Sequence, residues 1–257
     1  MVGILVCLLA GVEVISCPGE YGGHLQGIAV GPDCSIYWVF TTQLVKTDAA
    51  GTLLVSTPVP SHHGDPAYAR DTLYVPVNLG LFNEEGDKAD SWIYVYHPAT
   101  LELLERHPLP EVVYGAGATE WFEGHFYVVG GLPKGHTQNY VYEYAADFSF
   151  VTRHVLESGY TLMGIQTISR GKDRWWYGCY GDPRLLMETG NDFAAPILYK
   201  LDYSTGIAPW KEGTFLRGDT ERLPGKLLYT GRATVTSLDH LEPYRPASPA
   251  QPIEQGK

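Results

Sequence analysis

Histidine, glutamine and carboxylate side chains recur at matched places along this chain. His24 and Gln26 stand together, His62, His63 and Asp65 form a second group, and Glu120 and Gln166 follow further on. Between them falls a second series, Thr41, Thr42, Asn78 and Asp182, with the glycines Gly130, Gly131 and Gly181. Imidazole offers a neutral lone pair, a carboxylate supplies charge and an amide oxygen can complete a hard site. His24, His63, Asp65 and Gln166 are therefore candidate ligands of one divalent metal ion. Such an ion would polarise a carbonyl or activate water. Alternatively, His24 or His63 acts unaided as a general base, since free imidazole titrates near neutrality. These two are the candidate catalytic residues. Gln26, Thr42, His62, Asp65, Asn78, Glu120, Gln166, Asp182 and Trp176 are candidate ligand-binding residues. The competing expectation is that these groups satisfy one another, exposed backbone and channel water.

For residues so far apart to meet, the chain must be built from repeats. Four segments read alike. The first runs from His24 through a turn at 31–35 to Ile36-Tyr-Trp-Val-Phe and then Leu44 to Val55. The second runs from His63 through Thr72 to Val77 and Trp92 to Leu104, and the third from Gly115 through His125 to Gly131 and Tyr140 to Val151. The fourth runs from Met163 through Arg174 to Cys179 and on to Ile197 to Ala208. Each unit gives four short strands with Gly/Asp turns, and apolar and polar residues alternate within them, as in half-buried antiparallel strands. A period of about 40–55 residues with four antiparallel strands per unit is that of a β-propeller blade. In such a ring the first strand of each blade starts, and the second ends, at one axial mouth. That convergence groups the candidate residues.

Ring closure follows from one more alignment. Val12 to Ser16 occupies the place of an outer strand, and the C-terminal stretch Leu216 to Leu238 can supply its partners. Joining both termini in one blade removes free sheet edges. The expected fold is all-β, a propeller of five blades, with four as the alternative if the C-terminal stretch merely caps. Residues 12–240 form its single domain, 1–11 a leader or truncated signal segment, and 241–257 a disordered tail rich in Pro, Ser and Gln. Leu198-Tyr-Lys-Leu-Asp-Tyr-Ser-Thr-Gly206 and Tyr94-Val-Tyr-His-Pro-Ala-Thr100 resemble the outer strands of NHL/YncE-type and gluconolactonase-like propellers. The resemblance covers about residues 12–240, implies the propeller fold, and brings no catalytic motif that matches residue by residue.

Composition agrees with many short strands: of 257 residues, 18 are Tyr, 6 Trp, 29 Gly and 18 Pro. A net charge of −11 argues against nucleic acid, which needs clustered Lys and Arg. No apolar run is long enough to span a bilayer. Val2 to Val12 has the length of an export signal without its basic start, so a periplasmic or extracellular location is an expectation carried by that run alone. Cys7, Cys17, Cys34 and Cys179 match no zinc spacing. They read as isolated buried thiols or as one disulfide whose pairing the sequence does not select.

Three stretches after second strands, Leu79 to Ser91, Gly131 to Asn139 and Gly181 to Pro196, read as long loops on the candidate face, where binding loops gather. The first is acidic, with Glu84, Glu85, Asp87 and Asp90, but lacks EF-hand spacing. Most tryptophans fall where blades pack. Trp175 and Trp176 are adjacent and must face opposite ways, so one is expected to be less buried. No Ser-His-Asp order, phosphate loop or HExxH occurs. Two functions stay open: binding of a small molecule or carbohydrate at the axial mouth, or metal-assisted or His-dependent hydrolysis or elimination of a sugar-derived lactone or uronide.

Overall fold

A computed structural model describes residues 13–245; the candidate leader 1–11, Cys7 and residues 246–257 of the expected tail lie outside the described residues. The chain forms five sheets of four antiparallel strands. The first strand of the chain, β1 (Val14–Tyr21), precedes blade 1, built from β2 (Leu25–Val30), β3 (Ile36–Phe40), β4 (Gln43–Thr47) and β5 (Leu53–Pro58). Blade 2 holds β6 (Ala67–Ala69), β7 (Thr72–Asn78), β8 (Ser91–Tyr96) and β9 (Leu103–Pro108). Blade 3 holds β10 (Ala116–Phe122), β11 (His125–Gly130), β12 (Asn139–Ala145) and β13 (Phe150–Leu156). Blade 4 holds β14 (Leu162–Gly171), β15 (Arg174–Tyr180), β16 (Leu185–Thr189) and β17 (Ile197–Tyr199). Blade 5 orders β18 (Ile207–Pro209), β19 (Phe215–Arg222) and β20 (Tyr229–Thr236) from the axis outward, and β1 closes it as the outermost strand. Ile15 pairs with Ala233 and Ser16 with Arg232 in that closure.

Burial follows strand position. The second strand β3 is buried at every residue, because a neighbouring blade covers each of its faces, whereas the outer strand β9 is almost wholly exposed. An apolar cluster fills each interface between blades. Trp38 is wholly buried between blades 5 and 1, and its indole N–H donates to Thr47 Oγ1 at 3.0 Å, the partner a buried indole requires. Cys17, Cys34 and Cys179 are free thiols, and burial pushes Cys17 and Cys179 up to about 12, which leaves them unreactive near neutrality.

Two details differ from the sequence expectation. The stretch Gly181 to Pro196 is not one long loop, because β16 lies inside it and is the third strand of blade 4. Of Leu185-Leu-Met-Glu-Thr only Thr189 is of the β-branched or aromatic kind that marks a strand. The conformation of this stretch is set by pairing with β15 rather than by propensity. In consequence Ile207 and Ala208 are not the end of blade 4 but the inner strand of blade 5. The expected difference between the adjacent tryptophans is also absent: Trp175 is 1% exposed and Trp176 3%. They do face opposite ways, Trp175 into the interface of blades 3 and 4 and Trp176 into that of blades 4 and 5. A blade has no solvent face, so Trp176 is core and not a rim residue.

The start of the expected tail is packed. Leu238 is buried, Leu241 lies against the interface of blades 4 and 5, and the Tyr244 N–H donates to Leu198 O at 2.6 Å. Among the described residues no helix is long and apolar enough to cross a membrane.

Candidate functional site

The inner strands β2, β6, β10, β14 and β18 pack around one axis, which has a mouth at each end. A side chain reaches one mouth or the other according to how far along its inner strand it sits. Residues at the strand starts form the upper mouth, a cavity of about 160 Å³ whose walls include His24, Gln26, His62, Phe82, Gln166 and Tyr180.

Gln26 is the hub of this mouth. Its Nε2 lies 3.1 Å from His24 Nε2, 3.1 Å from His62 Nε2 and 3.2 Å from Thr41 Oγ1. An amide nitrogen carries two protons, so it cannot serve three acceptors at once. Where Gln26 serves His62 and Thr41, the Tyr180 hydroxyl can serve His24. His24 Nε2 is also 3.1 Å from the Tyr180 hydroxyl, and His62 packs edge-on against Phe82. His62 Nδ1 is buried without a hydrogen-bond partner among the described residues. Both imidazoles are held below their ordinary range. Burial is the main cause for each, with the Arg184 charge adding to it at His24 and the His24 charge at His62. They are neutral at pH 7. No Asp, Glu, Lys or Arg is among the described residues lining the cavity, so the upper mouth is an uncharged cup of polar groups with Phe82, Met163 and Ile165 as its apolar wall.

Gln166 reaches this mouth but spends one amide proton on the Met163 carbonyl at 2.7 Å. His63 does not reach it. Neighbouring residues of an extended chain point to opposite sides, so with His62 on the axis His63 is driven into blade 2. There Nδ1 meets Pro60 O at 2.8 Å and Nε2 meets the Tyr96 hydroxyl at 2.7 Å. Burial lowers the His63 imidazole to about 4. With both nitrogens occupied inside the blade, His63 can be neither base nor ligand at the mouth.

Asp65 lies deeper on the axis, wholly buried. Oδ1 accepts the Ile28 N–H at 3.0 Å and Oδ2 the Ile168 N–H at 3.1 Å, so one carboxyl ties β2 to β14 across the ring. Its own backbone bonds to blade 3, through Asp65 N–H to Gly117 O at 2.9 Å and Thr119 N–H to Asp65 O at 3.1 Å. Gly27 makes room for it, since a Cβ there would overlap Asp65. Desolvation holds the Asp65 carboxyl well above the usual carboxylate range. The four residues expected to share a metal ion thus do not assemble: His24 and Gln166 face the upper mouth, while His63 and Asp65 are committed elsewhere. Among the described residues no group of three or more His, Cys, Asp or Glu is placed to hold one.

The remaining candidates lie elsewhere. Glu120 sits four residues beyond the start of β10, about 13 Å along the strand at the usual rise, and lines the opposite, lower mouth. Asn78 is buried and strapped to its loop, donating to Gly80 O at 3.2 Å and accepting the Asp90 N–H at 2.8 Å. The Thr42 hydroxyl donates to Gly22 O at 2.8 Å, and exposed Asp182 lies in the β15–β16 link; neither lines the cavity.

Tyr180, Phe82 and Asn83 line the cavity although they are not among the candidate ligand-binding residues. Tyr180 ends the second strand of blade 4, so the placement rule that selected Thr41 would have found it. Phe82 and Asn83 belong to the acidic loop, and only its folding onto blade 3 brings them in. Asn83 N–H donates to Tyr114 O at 3.1 Å, and Asn83 Oδ1 accepts the Leu132 N–H at 2.9 Å. Glu85 of the same loop pairs with His136. The neighbouring backbone is close enough that a Cβ at Gly130 would collide with the Gly115 carbonyl, which is why a glycine ends β11.

No protein-family model matches this sequence, and no curated protein matches it. Among solved structures the chain is similar to a GH43 β-1,3-galactosidase determined with galactodeoxynojirimycin. The TM-score is 0.59 at 12% identity, over 90% of this chain and 96% of that one. What this likeness shares with the chain, as with the NHL/YncE-type and gluconolactonase-like resemblance, is the propeller itself.

Proposed function

We propose that this protein binds a small neutral polyhydroxylated ligand, one sugar ring in size, in the upper axial mouth. The observation that carries this reading is the convergence of the Gln26 amide, the His24 and His62 imidazoles and the Tyr180 hydroxyl on one cavity, where a ligand hydroxyl can meet both donors and acceptors. Size agrees, since about 160 Å³ is close to the ~150 Å³ cavity known to hold a six-membered carbon ring. A few convergent polar groups against an apolar wall is the usual make-up of a small-molecule site. The structural neighbour was determined with an iminosugar in place, which is compatible with a carbohydrate here. Glycoside hydrolysis by the usual route needs two carboxylates astride the scissile bond. None is among the described lining residues, so binding is the reading and hydrolysis by that route is not.

Calorimetric titration with free monosaccharides, D-galactose and D-glucose first, tests this. One of them should bind with Kd of about 1 mM or tighter. Gln26→Ala should weaken that binding at least tenfold while circular dichroism stays unchanged. Galactodeoxynojirimycin, cationic at neutral pH, should bind more weakly than the sugar because no carboxylate meets its ammonium. Absence of any monosaccharide binding overturns the reading.

A second reading has its own observation. His24, neutral at pH 7, touches the Tyr180 hydroxyl, and the Arg184 guanidinium lies 5.0 Å from the centre of the Tyr180 ring. A base, a hydroxyl and a nearby cation suit proton abstraction beside a uronate carboxylate. Ultraviolet absorbance of an unsaturated product from a uronide, lost in Tyr180→Phe, would favour it over simple binding.

A further inference from the structure

The lower mouth of the axis is a cavity of about 430 Å³ to which all five inner strands contribute. Ala29, Tyr68, Glu120, Arg170 and Ala208 stand one from each of blades 1, 2, 3, 4 and 5. Asp65, bonded to β2 and β14 midway along the axis, separates it from the upper mouth.

Glu120 is the feature of this cavity that the rest of the structure does not explain. Its Oε1 accepts the Trp121 N–H at 2.8 Å and its Oε2 the Arg170 N–H at 3.1 Å, which leaves a lone pair on each oxygen. Among the described residues no Lys, Arg or His forms an ion pair with it, although two cations line the same cavity. Both spend donors elsewhere, although Arg170 Nε is buried without a hydrogen-bond partner among the described residues. The Arg170 guanidinium donates to Arg174 O at 3.0 Å and Asn191 Oδ1 at 2.8 Å while stacked on Phe122, and Lys172 Nζ donates to Asp239 Oδ1 at 2.6 Å. Burial, the chief cause, pushes the Glu120 carboxyl up to about 7, and the two amides and the Arg170 charge offset it only in part. A charge so incompletely compensated is costly, and a cation arriving from solution reduces that cost.

We propose that the lower mouth is a second binding site, for a small organic ammonium ion whose charge meets Glu120 and whose apolar part lies against Tyr68 and Trp121. Aromatic faces attract such cations, and a chain of net charge −11 favours their approach. A divalent metal ion suits the place poorly, because of the two carboxylates in the lining Glu120 already holds two amides and Asp173 is fully exposed beside Arg170.

Benzylamine and its neutral counterpart benzyl alcohol are the probes, titrated into the full chain and followed by calorimetry and amide chemical shifts. Benzylamine should bind, shift the amides of Trp121 and Arg170, and bind at least tenfold more tightly than benzyl alcohol. Glu120→Gln keeps the shape and should abolish that preference. Gln26→Ala, at the other mouth, should leave benzylamine affinity unchanged. Equal binding of the two probes by the native protein overturns the site, and so does benzylamine failing to bind. If Glu120→Gln does not fold, the comparison of the two probes on the native chain decides alone.

Discussion

The same five inner strands end in two mouths of opposite character. At the upper mouth two imidazoles share one amide, burial keeps them neutral, and no charged side chain is among the described residues of the lining. At the lower mouth a carboxyl faces a larger cavity, bonded to two backbone amides and without an ion pair among the described residues. Strand direction separates them. Every inner strand runs from one mouth toward the other, so a few residues of travel move a side chain from one chemistry to the next. Asp65 sits between the two, and its paired amides belong to strands that serve both ends.

The comparison breaks most readily at that divide. Asp65→Ala orphans the Ile28 and Ile168 amides in the interior, at about 1–3 kcal/mol each. Urea unfolding should show a loss of roughly 2–6 kcal/mol, with both mouths failing together. A loss confined to one mouth would mean the two are not tied through this carboxyl.

Smaller effects sharpen the contrast through pH. The folded-state value of Glu120 is raised from 4.5 to about 7, so the folded protein holds that proton more tightly than the unfolded chain. Its contribution is complete below about 4.5 and is lost as pH rises through 7. Glu120→Gln should therefore gain stability relative to the native chain between pH 4 and pH 8, by up to about 3 kcal/mol. Benzylamine should shrink that difference. At the upper mouth the sign reverses. His24 and His62 are lowered below 6.5, so their neutral forms persist from alkaline pH down past that value. Monosaccharide affinity should be flat from pH 8 to pH 6.5 and fall several-fold below that, as protonation removes the shared acceptors. His63, lowered to about 4 inside blade 2, should make the fold lose stability as pH falls from 6.5 toward 4, by up to about 3 kcal/mol. An affinity that rises on acidification would contradict the neutral-mouth picture.

The sequence alone determined the architecture. Repeat spacing, paired turns and the strand-like Val12 to Ser16 favoured five blades closed by the N-terminal strand over four, because alternation and turn chemistry are local and survive without a partner. It also led to His24, Gln26, His62 and Gln166, because the start of an inner strand can be read from the repeat. Tertiary structure decided the rest. Whether His62 or His63 faces the axis is a one-residue phase that no spacing fixes, and the depth of Asp65 and Glu120 depends on where along the axis each strand begins. β16 was invisible because only one of its five residues, Thr189, favours a strand by itself, and Trp176 was misplaced because a second blade covers the face that looked free. Local pattern sets which elements form; the packing of blade on blade decides which side chains are left facing a cavity.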